Sequence, residues 1–205
     1  MITKGISRRR FVQTGLCGLA LGGGIGVSLL RDSSQVWAQT FIRPPGALMG
    51  DPFYAACIRC GLCVEACPYE TLRLFDYVGS ADTGTPYFVA REIPCEMCVD
   101  IPCVQACPTG ALDPALEDIK YATMGVASLS HPHLCNSYVG AAFCDSCFRA
   151  CPLQGEAITM KVGATGMGGM FTPTVDPDIC TGCGKCEQAC IAQPAAIRVS
   201  PSHAE

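Results

Sequence analysis

The chain has 205 residues and a formal charge of −4, with 17 Cys, 22 Gly and 15 Pro against only 8 Phe, 6 Tyr and 1 Trp. The length allows one or two small domains, and so little aromatic material among so much Gly and Pro excludes a large ordinary apolar core. Residues 1–38 hold five basic residues and one acid, leaving nine and seventeen, a balance of −8, for the rest. With no basic run and no aromatic stacking platform, the composition argues against nucleic acid as a partner.

Ser7-Arg8-Arg9-Arg10-Phe11-Val12-Gln13 is similar to the S-R-R-x-F-L-K pattern of twin-arginine export signals. A Gly-rich apolar stretch from Thr14 to Leu30 follows, and Val36-Trp37-Ala38 offers small residues suited to cleavage after Ala38. An uncleaved membrane anchor is the rival reading. Cys17, inside this stretch, reads as an inert apolar residue. The expected location is the periplasm, at the outer face of the cytoplasmic membrane. Export of an already folded chain suits the thiols, which would otherwise meet an oxidising compartment unprotected.

From Gln39 to Pro52 the chain, including Arg43-Pro44-Pro45-Gly46, reads as an extended surface linker. Then comes Cys57-x2-Cys60-x2-Cys63-x3-Cys67-Pro68. This C-x2-C-x2-C-x3-C-P run holds cubane iron–sulfur clusters, and in two-cluster proteins its fourth Cys reaches the neighbouring cube. Zinc sites use Cys pairs separated by a longer spacer, so four Cys packed this closely point away from zinc.

Thr71–Phe75 and Pro86–Ala90 suit a hairpin with a long loop. The second motif is Cys95-x2-Cys98-x4-Cys103-x3-Cys107-Pro108. Asp113-Pro114 predicts a helix, with Asp113 as N-cap, Pro114 at the first position and Gly125 as its end. The third motif is less regular: Cys135-x8-Cys144-x2-Cys147-x3-Cys151-Pro152. His131 and His133 nearby read as surface loop residues, because each motif already supplies four thiols.

Ala157–Val162 and Phe171–Val175 predict a second hairpin around a mobile Gly/Met-rich stretch, 163–169. The fourth motif is Cys180-x2-Cys183-x2-Cys186-x3-Cys190, with Ile191 in the place of the usual proline, and Ala195–Val199 predicts a closing strand. Motif, hairpin and motif thus occur twice, and the intervals between paired motifs, 68–94 and 152–179, are nearly equal in length. The repetition predicts an α+β fold of two tandem bacterial-ferredoxin-like modules, 39–126 and 127–205, behind a signal over 1–38. Four [4Fe–4S] clusters follow from four motifs, and their removal should unfold so lightly packed a chain. The motifs offer no nucleophile with a base, no phosphate loop and no carboxylate dyad, so no substrate chemistry is assigned.

Arg43-Pro44-Pro45-Gly46, Gly84-Thr85-Pro86-Tyr87-Phe88-Val89-Ala90-Arg91, Ile93-Pro94-Cys95-Glu96-Met97-Cys98 and Cys180-Thr181-Gly182-Cys183-Gly184-Lys185-Cys186 lie partly outside the ligand spacing. With them the chain resembles the NapG/MauM group of ferredoxin-type proteins from about Phe41 to Pro201. The resemblance implies transfer of electrons from a NapH-like membrane quinol dehydrogenase towards a periplasmic cytochrome or nitrate reductase. Membrane association would then run through that partner or an uncleaved N-terminus. Service to methylamine oxidation, an assembly role for a periplasmic redox enzyme, and an iron–sulfur subunit of a molybdenum oxidoreductase are the alternatives. Ferredoxin logic implies crossed ligand sets: Cys57, Cys60, Cys63 and Cys107; Cys95, Cys98, Cys103 and Cys67; Cys135, Cys144, Cys147 and Cys190; Cys180, Cys183, Cys186 and Cys151. A nested pairing of the first motif with the fourth is the other arrangement, and the hairpin between adjacent motifs favours the crossed one.

Overall fold

Each motif ends in the same local structure, because a Cys, two variable residues, an Ala and a second Cys fill a single helical turn. In the computed structural model, which describes residues 41–76 and 80–202, these turns are α2 (Leu62–Glu65), α3 (Pro102–Gln105), α5 (Ser146–Arg149) and α6 (Lys185–Gln188). Ala66, Ala106, Ala150 and Ala189 close the turns in helical geometry, one residue before the last Cys. The expected export segment and Cys17 lie outside the described residues. Among the described residues no helix is long and apolar enough to cross a membrane.

The strands are short and all antiparallel. β1 (Arg73–Leu74) pairs with β2 (Pro86–Tyr87), and the predicted hairpin is thereby reduced to two residues a side. β4 (Ile158–Val162) and β5 (Phe171–Val175) form the second hairpin in the register Ile158↔Val175 to Val162↔Phe171. The stretch between them is tied down, because the Gly169 amide donates to the Tyr138 carbonyl at 3.0 Å. A third pair joins distant parts of the chain: β3 (Gly125–Ser128) runs against β6 (Arg198–Pro201), and the module boundary expected at 126/127 falls inside β3. The closing strand therefore starts at Arg198 rather than at Ala195.

Two expectations are corrected. The predicted helix from Asp113 does not form. The Asp113 amide donates to the Gly46 carbonyl at 2.6 Å, and its carboxylate accepts from the Ala115 amide at 2.9 Å, a local turn that competes with a helix. Asp118 then caps only a single 3-10 turn, Ile119–Tyr121. Nor do the described residues of the expected surface linker, 41–52, form one. Ile42, Arg43, Pro44 and Pro45 are buried, and Ile42 bridges to Phe88. α1 (Asp51–Ala56), started by Pro52, buries Phe53 completely.

Phe53, Phe88, Ile42, Leu112 and Met124 form the apolar centre, and Cys103, Cys147, Cys183 and Cys186 are buried in the same continuous cluster. Cysteine side chains therefore stand where a larger domain would place leucines.

Candidate metal centres: four cavities lined by cysteine

The sixteen cysteines of the four motifs, all unpaired by disulfides, line four separate cavities. The first is lined by Cys57, Cys60, Cys63 and Cys107, with Phe53 and Leu112. The second holds Cys67, Cys95, Cys98 and Cys103, with Leu72 and Phe88. The third holds Cys135, Cys144, Cys147 and Cys190, with Leu134 and Ile197. The fourth holds Cys151, Cys180, Cys183 and Cys186, with Ala127 and Val199. Each encloses about 330 to 400 Å³ of empty space, mouth included. Each takes three cysteines from one motif and one from the adjacent motif.

Helix geometry produces the exchange. Cys63 and Cys67 sit four positions apart, at the start and just past the end of α2, so one thiol faces the first cavity and the other the second. α3 does the same with Cys103 and Cys107, and it packs against α2; α5 and α6 repeat the arrangement with Cys147, Cys151, Cys186 and Cys190. In the loops before the turns, Arg59, Met97 and Gly182 all have left-handed backbone, with φ of 60, 59 and 74°. That conformation costs a non-glycine residue about 1–2 kcal/mol, so the loop is held by what surrounds it.

The third motif reaches the same outcome differently. Cys135 starts α4 (Asn136–Val139), and buried Ser137 closes the longer loop of this motif by accepting from the Cys144 amide at 2.7 Å and donating to its carbonyl at 2.6 Å. Nothing in the sequence marks Ser137, because its role depends on the Cys144 backbone seven residues away. His131 and His133 are not among the residues lining the third cavity; the His131 ring meets the Ala195 carbonyl instead, at 3.3 Å.

The donor chemistry fits an iron–sulfur cube. Four soft sulfur ligands surround an apolar space, and backbone amides point at the sulfurs: Leu112 at Cys107 (3.4 Å), Ala196 at Cys190 (3.3 Å) and Ala127 at Cys180 (3.5 Å). Among the described residues no three Cys, His, Asp or Glu side chains gather as they would around a single ion. Burial pushes the Cys95, Cys103 and Cys147 thiols up to about 12 and Cys63 to about 11, and it raises Cys186 further. Cys107 goes the other way: burial raises it, but the Leu112, Thr109 and Ala111 amides and the Thr109 hydroxyl outweigh that, and the thiol lies below its ordinary value.

A family model described as a 4Fe-4S dicluster domain matches residues 56–111 and 142–193, each match spanning one pair of crossed turns. The methylamine utilization ferredoxin-type protein MauM of Methylobacillus flagellatus is 51% identical over 184 residues, 90% of this chain and 78% of that protein. MauM of Methylorubrum extorquens is 48% identical over 97% of this chain and 90% of its own length. The ferredoxin-type protein NapG of Escherichia coli is 46% identical over 95% of this chain and 85% of its own.

Fold and cysteine chemistry thus define an iron–sulfur protein of the 4Fe-4S dicluster ferredoxin class, built for electron transfer. Within that class the chain belongs to the NapG/MauM family of ferredoxin-type proteins.

Proposed function

We propose that this chain is a periplasmic electron carrier holding four [4Fe–4S] clusters, one in each cavity. Cys57, Cys60, Cys63 and Cys107 would hold the first, Cys67, Cys95, Cys98 and Cys103 the second. Cys135, Cys144, Cys147 and Cys190 would hold the third, and Cys151, Cys180, Cys183 and Cys186 the fourth. A bound cube supplies one-electron redox chemistry. The chain's own residues fix the sulfurs, exclude water with Phe53, Phe88, Leu112 and Ile197, and aim amide dipoles at the sulfurs. Such dipoles favour the more negative, reduced state and so raise the potential. The observation that carries the reading is the division of sixteen cysteines into four cavities of four.

The N-terminal twin-arginine pattern supports the periplasm as its compartment. Family membership supports a quinol-oxidising membrane donor of the NapH kind and delivery towards periplasmic nitrate reductase. A second reading, service to methylamine oxidation, draws support from the MauM relatives, whose identities of 48 to 54% stand slightly above the 46% of the NapG proteins. The test is a spectroscopic redox titration of the purified protein with quinol, with and without its membrane partner. Reduction of the visible absorbance only when the partner is present supports the proposal; no reduction in either case overturns it.

A further inference from the structure

Within each half of the fold, two cavities are joined twice over. α2 leads from the first cavity to the second, through Cys63 and Cys67, and α3 leads back through Cys103 and Cys107. α5 and α6 join the third and fourth in the same way. Between the halves the contacts fall elsewhere than chain order suggests. The Cys95 amide, at the second cavity, donates to the Cys183 carbonyl, at the fourth, at 2.9 Å. Beside it, Thr181 Oγ1 donates to Met97 Sδ at 3.5 Å, and Lys185 pairs with Glu96. A glycine of the fourth motif makes this approach possible: a Cβ on Gly184 would stand 2.5 Å from the Cβ of Ala90.

We propose that the four cavities stand in single file in the order first, second, fourth, third. The handover between the halves then runs from the Cys95 side of the second cavity to the Cys183 side of the fourth. The chain-adjacent second and third cavities are not neighbours in the relay. Because electron transfer slows steeply with separation, this order sets the route. The first and third cavities become its two ends, and both have open rims. Cys60 is exposed at the first, where Ile58 is 62% exposed, and Ile191 is 63% exposed at the third. An electron entering at one rim must cross the Cys95–Cys183 junction to leave at the other.

The order rests on the four-cluster reading, so iron content is measured first: about sixteen irons per chain in the native protein, and about eight in each double variant. Cys60→Ser with Cys144→Ser is designed to leave the second and fourth cavities loaded. Its fully reduced electron paramagnetic resonance spectrum should show the splitting of two interacting clusters. Cys98→Ser with Cys180→Ser leaves the first and third, and should show two independent signals. Splitting in the second variant, or its absence in the first at about eight irons, overturns the order while leaving the four-cluster reading intact. Should the variants not load, carbodiimide treatment of the native protein decides: an amide between Glu96 and Lys185 supports the junction, and its absence overturns it. A native protein without iron overturns the order and the reading beneath it together.

Discussion

Arg91 Nη1 donates to the backbone carbonyl of Cys190 at 2.6 Å, joining two distant parts of the chain. The same guanidinium reaches the carbonyls of Glu187 at 2.6 Å, Gln188 at 3.0 Å and Ala192 at 3.1 Å. The last carbonyls of a helical turn have no partner within it, so a fork of donors is well matched to that end. Cys67, Cys107 and Cys151 are each followed by proline, which stiffens the turn, whereas Cys190 is followed by Ile191. At the motif lacking the proline, the turn is fastened from outside by Arg91.

Arg91→Ala should therefore destabilise the half containing the third and fourth cavities by about 2–3 kcal/mol, as expected for charge-assisted hydrogen bonds to otherwise unpaired carbonyls. Arg91→Lys should recover little, because an ammonium cannot reproduce the fork. The check is the urea concentration at which the visible absorbance bleaches, which should fall for both.

Gly184→Ala should be harmful for two reasons that add. Its φ is +88°, and the new methyl would meet the Ala90 Cβ at 2.5 Å. Left-handed strain and overpacking together should destabilise by on the order of 2–4 kcal/mol. Gly155→Ala serves as the control: its φ is +84°, but nothing lies within 4 Å of the added Cβ, so only the strain remains. Thermal bleaching should rank the wild type above Gly155→Ala, and that above Gly184→Ala.

Arg43 is buried over the Phe53 ring at 3.9 Å and pairs with Asp82 at 2.7 Å, while Tyr54 donates to the same carboxylate at 2.8 Å. Arg43→Ala should destabilise by about 1–2 kcal/mol, chiefly through lost packing and cation–π contact over Phe53, because the Asp82 carboxylate is 40% exposed and is solvated once its cation goes. Arg43→Met, which restores the stem but not the charge, should recover part of the loss in the same urea measurement.

Acid should release the clusters. Iron binds thiolates, and burial raises several of these thiols well above the ordinary 9.0, so loading must expel protons. Thiolates that iron holds deprotonated stabilise the fold fully above the unfolded thiol's ordinary value of about 9, and the stabilisation drains away as pH falls. The half-time of absorbance loss should shorten steadily from about pH 8 to about pH 5. Complete removal of iron should abolish the near-ultraviolet circular dichroism.

The spacing of thiols is visible in sequence because a cube demands it, and the sixteen spaced cysteines are those lining the cavities. The β4–β5 hairpin is visible too, bounded by Gly and carried by β-branched residues. What is not visible depends on distant partners. The predicted helix from Asp113 lost to a hydrogen bond with Gly46, which lies before the first motif. β3 pairs with β6, the strand that closes the chain beyond the fourth motif. Arg43 reads as a linker residue until Phe53 and Asp82 are seen around it. Arg91 and Gly184 lie in stretches that stand out beside the motifs, but only the approach of the two halves explains them.

Analysis of iron and acid-labile sulfide in protein purified without oxygen tests most directly whether one chain holds four iron–sulfur cubes. About sixteen of each per chain are expected. Half that number, or a folded protein carrying zinc or disulfides in their place, would contradict the four-cluster reading.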